Sequence, residues 1–166
     1  SSTKSIGDPN DVEKLADILI NAERPAVLFG QQVWASGSHG AAIDFIRSLD
    51  VPAYMNGASR GMLPEGDPHH FDRTRSDAFK DADVILIVGT PFDFRMGYGK
   101  RISDAATLVQ IDQSYATVGK NRDISMGIAG DPGAILKAVE QAASGRISQG
   151  LKKKRQEWMS KLRGIE

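Results

Sequence analysis

The stretch Val84-Ile85-Leu86-Ile87-Val88-Gly89-Thr90-Pro91-Phe92-Asp93-Phe94-Arg95-Met96-Gly97-Tyr98-Gly99 decides how this chain is read. Its first five residues are β-branched or aliphatic, with no polar alternation. That is the signature of a strand covered on both faces in a parallel sheet. In open α/β sheets, ligands sit beyond the carboxyl ends of such strands. Here that place holds glycines, an acid and an arginine. Glycine lets a backbone come close to a ligand, and arginine forks onto phosphate oxygens. The stretch predicts a strand whose end faces a phosphorylated ligand of the nucleotide class.

The flanking segments extend this reading. Asp8 and Pro9 suit the N-cap and first position of a helix carrying Val12, Leu15, Ala16, Ile18 and Leu19, ending near Asn21. A strand Ala26–Phe29 closes at Gly30. After a loop comes an amphipathic helix with Ala41, Ala42, Phe45, Ile46 and Leu49. Val51–Met55 reads as a short strand that tolerates Pro52 at its start. Asn56–Arg75 reads as an irregular crossing loop with a partial strand near Phe71, and Ser76–Asp81 as a helix. Two further strands, Thr107–Ile111 and Ile124–Ile128, end at Asp112 and at Ala129-Gly130. Asp131 and Pro132 then cap a helix with Ile135, Leu136 and Val139. This alternation predicts an α/β fold: a three-layer, Rossmann-like open parallel sheet of about six strands with helices on both faces. The expected division is 1–7 as a linker or tag remnant, 8–145 as the domain, and 146–166 as a basic helical linker leading out of it. In that tail Lys152-Lys153-Lys154-Arg155 and Lys161 alternate with Trp158, Met159 and Leu162. The basic run reads as a solvated helix face or interdomain linker before a nucleic-acid or membrane contact.

Composition narrows the function classes. With 166 residues the chain holds one domain with a real core. Charges balance to a formal net of zero, with pI near 6.8, against a dedicated nucleic-acid binder. There are no cysteines, which rules out a disulfide framework and thiolate metal sites and fits a cytoplasmic setting. No apolar run approaches the ~20 residues of a membrane helix. The polar start Ser1-Ser2-Thr3-Lys4-Ser5 lacks a signal-peptide apolar region.

Four strand ends carry small or polar residues: Gly30-Gln31-Gln32, Gly89-Thr90-Pro91, Asp112-Gln113 and Gly130-Asp131. In a parallel sheet they line one edge. An acid there, such as Asp112, is placed to accept from ribose hydroxyls. Arg95 is placed to pair with a phosphate, with Arg73 and Arg75 reaching it from the long loop. Each residue also has a plainer use. Gly30 and Gly89 serve as strand-to-loop turns, Asp131 as a helix N-cap, and Asp93 with Arg95 as a surface pair. His69 and His70, adjacent in a Pro/Gly loop, read as exposed. Trp34 and Tyr98 stack on a base or cover apolar surface. The G-x-G-x-x-G fingerprint is absent after Phe29, as is a Walker lysine pattern, and an ordinary NAD dehydrogenase is disfavoured. A nucleophile elbow, a zincin helix and a kinase set are also missing.

The motifs R-P-A-V-L-F-G from Arg24, V-P-A-Y-M-N-G from Val51, R-G-M-L-P from Arg60, D-A-D-V-I-L-I-V-G-T-P-F-D-F-R from Asp81, V-Q-I-D from Val109 and G-D-P from Gly130 occur in this order. The set, from about Asp8 to about Ala143, resembles the central domain of thiamine-diphosphate-dependent enzymes, nearest to acetolactate synthase large subunits and their relatives. The resemblance implies a six-stranded parallel sheet between two thiamine-diphosphate domains of a longer chain. That parent would be a homodimer or homotetramer, a transferase or lyase that decarboxylates or ligates 2-keto acids or related acyl compounds. In the family the central domain holds FAD, ADP or nothing. The activating glutamate lies in the preceding domain, and the G-D-G motif for the diphosphate and magnesium lies in the following one. Neither is placed in this chain, where Pro132 follows Gly130-Asp131. The chain therefore reads as a middle domain without catalysis of its own.

By the resemblance, Gly30 matches the first glycine of the family's triplet, with Gln31 and Gln32 in place of the others. Asn56 and Gly57 occupy the second strand end. Phe92, Asp93 and Arg95 match the F-D-x-R segment, Asp112 the acid after the fourth strand, and Gly130 and Asp131 the fifth-strand pair. The family's flavin loop falls on Phe71-Asp72-Arg73-Thr74-Arg75-Ser76. With Gly89, Thr90 and Gln113 these are the expected cofactor contacts. Loss of the triplet and flavin loop, with gain of two arginines, favours ADP or a CoA-type nucleotide over FAD. The rival reading is a spacer with no ligand, since the two glutamines are long enough to fill the space a pyrophosphate needs. A free-standing NAD enzyme of sirtuin-like fold ranks lower, because the cysteines of its zinc site are missing.

Overall fold

The computed structural model describes residues 4–90, 102–120 and 124–166. In chain order its elements are α1 (Pro9–Ile20), β1 (Pro25–Phe29), α2 (Gln31–Ala35), α3 (His39–Leu49), β2 (Ala53–Met55), a 3-10 turn at Gly57–Ser59, α4 (Arg75–Asp81) and β3 (Val84–Val88). Then follow β4 (Thr107–Asp112), α5 (Tyr115–Lys120), β5 (Met126–Ala129), α6 (Pro132–Ala143) and α7 (Gln149–Ile165). Among the described residues every strand pairing is parallel, in the order β2-β1-β3-β4-β5.

β3 is central and wholly buried, as an unbroken apolar run must be when helices cover both faces. Val84, Leu86 and Val88 pack on one side with α1, α3 and α6, around Leu15, Phe45 and Leu136. Ile85 and Ile87 pack on the other with α4 and α7, around Tyr54, Phe79 and Trp158. The described residues therefore form the three-layer α/β sheet expected of the sequence, with five strands where about six were expected. The nearest thing to a sixth is a single parallel bridge between Ala53 and His70, at the outer edge of β2.

Three local differences have simple causes. β2 begins at Ala53, because Pro52 has no N–H for the ladder; its carbonyl instead accepts from Val27. The loop expected after Gly30 opens as the short helix α2, which the Gly30 N-cap starts at once. His69 is largely buried, not exposed. Its Nε2 lies 2.7 Å from Asp50 Oδ1, and its main-chain N–H donates to Asp67 Oδ1. Other readings hold closely. Asp8 caps α1 by accepting from the Asn10 N–H, and Asp131 caps α6 by accepting from Ala134.

The tail segment 146–166 differs most. It was expected to lead out of the domain, but α7 lies back against it. Arg155, Trp158 and Leu162 recur at helical spacing on one buried face. Trp158 Nε1 donates to the Pro25 carbonyl at 2.8 Å. The Arg155 guanidinium donates to the carbonyls of Leu19, Ala22 and Leu49. These belong to the ends of α1 and α3, where helices leave carbonyls unsatisfied and favour a cation. Burial pushes this guanidinium down to about 10, against the pull of Asp50 and Asp83, so it stays charged at neutral pH. The run Lys152–Lys154 hides this role, because Arg155 reads as one more solvated cation.

Candidate functional site

The order 2-1-3-4-5 reverses direction between β1 and β3, and ligands of such sheets bind in the crevice beyond the carboxyl ends at that point. Here β1 and β3 end in direct contact. Gly30 N–H donates to the Val88 carbonyl at 2.8 Å, and Gln32 N–H to the Gly89 carbonyl at 3.0 Å. A Cβ on Gly30 would lie 2.4 Å from Thr90 Cβ, so this glycine makes room for the neighbouring strand end. Gly89 has φ +68°, which favours glycine, and lies beneath Gln32.

The Gln32 side chain reaches from α2 past the end of β3 to β4. Its Nε2 donates to Asp112 Oδ2 at 3.2 Å, and its Oε1 accepts from the Gln113 N–H at 3.2 Å. Asp112 is buried, and its other oxygen accepts from the Ser114 N–H at 2.7 Å. The amide orientation follows from its partners, since a carboxylate only accepts and an N–H only donates. The crevice between β1 and β4 is therefore bridged by the chain's own amide. Of the two glutamines, Gln32 makes this bridge, while Gln31 stands exposed at the start of α2 beside Gly57.

The remaining strand ends are engaged as well. Asn56 accepts from the Gly57 N–H through its side chain, and Ser59 Oγ donates to the Gly30 carbonyl at 2.6 Å. At β5, Gly130 N–H donates to the Asp112 carbonyl. The Asp131 N–H donates to the Ser5 carbonyl, and a Cβ on Gly130 would lie 2.6 Å from that oxygen. The N-terminal segment thus lies across the end of β5, and the Asp131 carboxylate is committed to its cap. Thr90 is buried, Arg73 exposed and Arg75 half-buried at the start of α4. Trp34 is half exposed, its ring 5.1 Å from His39. Phe92, Asp93, Arg95 and Tyr98 lie outside the described residues.

Two features of this edge escaped the sequence reading. Glu166 Oε1 accepts from the Asp72 and Arg73 N–H groups at 2.7 and 3.1 Å, and its Oε2 accepts from Thr74 Oγ1 at 2.7 Å. Partial burial pushes this carboxyl up. The bonds from Thr74, Asp72 and Arg73, with Arg163 nearby, outweigh that and hold it below its ordinary value. The second feature is a cleft of about 290 Å³ beside Met55, whose lining includes Arg60, Glu65, His70 and Asp72. Its two acids outnumber its one fixed cation, so it offers a diphosphate no net attraction.

The chemistry available follows from these partners. Among the described residues no group of three or more His, Asp or Glu is placed to hold a metal. Asp131 serves as the cap of α6. Asp112, expected to face a ribose, is bonded to Gln32 and the Ser114 N–H. No described helix is long and apolar enough to cross a membrane.

Comparison with known proteins gives a consistent result. The sequence model for "Thiamine pyrophosphate enzyme, central domain" matches residues 12–139. The chain is 34% identical over 128 residues to the acetolactate synthase large subunit IlvG of Mycobacterium tuberculosis (strain ATCC 25618 / H37Rv), a match covering 77% of this chain and 23% of the relative. It is 32% identical over 138 residues to 2-hydroxyacyl-CoA lyase 2 of Homo sapiens, covering 80% and 22%. The chain thus spans under a quarter of the length of these curated relatives. Among solved structures, benzoylformate decarboxylase from Polynucleobacter necessarius superposes with a TM-score of 0.72 at 21% identity, over 87% of this chain and 29% of that one. That likeness concerns the fold.

Proposed function

The chain belongs to the family of thiamine pyrophosphate enzyme central domains, and from that membership we infer that it serves as the non-catalytic middle domain of a longer, oligomeric thiamine diphosphate enzyme. The curated relatives, named as acetolactate synthase and 2-hydroxyacyl-CoA lyase, support a parent that makes or breaks a carbon–carbon bond next to an acyl group. When bound, thiamine diphosphate supplies the carbanion chemistry, and this reading puts it and its magnesium on flanking domains. This domain's own share is support. At its carboxyl edge the Gln32 and Ser59 side chains bond across the strand ends.

The observation that carries this reading is the bridge from Gln32 to Asp112 and Gln113, at the strand ends beyond which ligands of open parallel sheets bind. The reading therefore favours the spacer over a domain loaded with ADP, a CoA-type nucleotide or FAD. Calorimetry of the chain with ADP, CoA and FAD tests it. No saturable heat is expected at millimolar ligand, and micromolar binding of any of the three would overturn the closed edge. Turnover above background with pyruvate, thiamine diphosphate and magnesium would overturn the non-catalytic role.

A further inference from the structure

We propose that Asn56 is a self-modification site gated by the fold. The folded turn after β2 withholds the Asn56–Gly57 peptide from deamidation, and opening of that turn releases the reaction. The inference needs no ligand and is independent of the chemistry of the parent enzyme.

An asparagine followed by glycine is well suited to attack on itself, because no Cβ on the second residue crowds the main-chain nitrogen. Of Asn10, Asn21, Asn56 and Asn121, only Asn56 precedes a glycine. In the reaction the deprotonated Gly57 nitrogen attacks Asn56 Cγ. The N–Cγ bond forms and the Cγ–Nδ2 bond breaks. The Gly57 proton, relayed by solvent, leaves with Nδ2 as ammonia. Water then opens the cyclic imide on either side. Breaking N–Cγ gives aspartate. Breaking the bond to the main-chain carbonyl carbon gives isoaspartate, whose main chain runs through Cγ and is one methylene longer.

The folded turn opposes the first step. Ring closure needs the Gly57 nitrogen to eclipse Asn56 Cβ. Asn56 has ψ 152°, which holds that nitrogen well away from the eclipsed position. The carboxamide turns its oxygen to the nitrogen, not its carbon, with Oδ1 accepting from the Gly57 N–H at 2.9 Å. The main chain is pinned on both sides. Asn56 N–H donates to the Phe29 carbonyl at 2.8 Å, Ser59 N–H to the Asn56 carbonyl at 3.2 Å and Arg60 N–H to the Gly57 carbonyl at 3.2 Å. Ser59 is 1% exposed, and its Oγ fastens the turn to β1 at the Gly30 carbonyl. Rotating Asn56 into the reactive conformation therefore requires a local opening of the turn.

Once the turn opens, little else stands in the way. Gly57 is exposed, and even a Cβ there would come no nearer than 3.6 Å to Gln31. The two products differ in what they permit afterwards. Aspartate still offers an oxygen to the Gly57 N–H and rebuilds the cap. Isoaspartate puts its extra methylene between β2 and the turn, so Ser59 no longer returns to the Gly30 carbonyl in register. An opening that ends in isoaspartate is permanent, and position 56 records how often the ends of β1 and β2 come apart.

The test incubates the wild-type chain, Ser59→Ala and Gly57→Ala in mildly alkaline buffer, with and without urea. Peptide mapping by mass spectrometry and isoaspartate detection follow position 56, and circular dichroism follows the fold. Wild type is expected to react on the order of tenfold or more slowly when folded than in urea. Folded Ser59→Ala is expected to react about two- to tenfold faster than folded wild type, as loss of one hydrogen bond holding the turn shut predicts. Gly57→Ala should slow the reaction in urea, where the turn no longer matters. Folded wild type reacting as fast as in urea overturns the gate, as does folded Ser59→Ala reacting no faster than wild type. Reaction in urea that ignores Gly57→Ala overturns the site. If Ser59→Ala does not fold, wild type in urea below its unfolding transition decides. A rate that climbs ahead of the circular dichroism transition supports a local gate, and one that only follows it overturns the gate.

Discussion

The two edges of the sheet are closed by different chemistry. At the amino edge, buried side chains bind main-chain groups at helix ends and strand starts. Arg155 takes three carbonyls at the ends of α1 and α3, Trp158 takes the Pro25 carbonyl, and the Asp83 carboxylate accepts from Glu23 and Arg24 N–H at 2.8 and 2.9 Å. At the carboxyl edge, the key bridge from Gln32 ends on an exposed turn at Gln113 and a carboxylate. The first arrangement is hard to exchange, since water does not reach those carbonyls. The second is made of groups that a ligand or solvent can replace. One parallel sheet thus keeps its permanent fastening at one end and its replaceable contacts at the other.

Arg155→Ala is the strongest way to break this contrast. It removes the buried donor shared by the Leu19, Ala22 and Leu49 carbonyls and should destabilise the chain by about 3–5 kcal/mol, read from urea unfolding. If it cost no more than the carboxyl-edge variants below, the contrast would collapse. Gly30→Ala comes next. Its Cβ would overlap Thr90 at the junction of β1 and β3, with an expected loss of about 1–3 kcal/mol in the same assay. Trp158→Phe keeps most of the packing and removes one hydrogen bond, for about 1 kcal/mol. An effect near zero would show that the Pro25 carbonyl finds another partner.

The smallest effect belongs to Glu166→Gln, and it sharpens the contrast through pH. The folded Glu166 carboxyl is held below its ordinary 4.5. Its contribution is therefore fully present above about pH 4.5 and disappears as pH falls through the lowered folded value. Wild type should lose stability in that window relative to Glu166→Gln, with the two curves running parallel above it. Melting temperatures across pH 3 to 7, spanning that window, check this. A difference that persists unchanged through the window would remove Glu166 from the pH response.

Much of the fold was legible because it rests on local rules. Val84–Val88 has no polar residue to place outward, and the Asp-Pro pairs at 8–9 and 131–132 announce helix starts that the structure contains. The tail was misread because its buried stripe of Arg155, Trp158 and Leu162 includes a cation inside a basic run. Only the distant ends of α1 and α3 make that cation a core residue. At the candidate site, the strand-end positions were legible from the order of strands and loops. Which glutamine fills the crevice was not. Gln31 and Gln32 are adjacent, and their directions depend on where α2 begins. Ser5 lies far in sequence from the end of β5, as Glu166 does from the start of α4, and no periodicity reports such contacts.

Arg155 also orders events during synthesis. The chain emerges from the ribosome amino end first, so α1, α3 and the five strands are all made before the guanidinium that their exposed carbonyls need. Until residue 155 is made, those carbonyls lack their guanidinium donor, and the face of the sheet covered by α4 lacks Trp158 and Leu162. Within the described residues, α7 therefore completes a core for which α1, α3 and β1 have already been made.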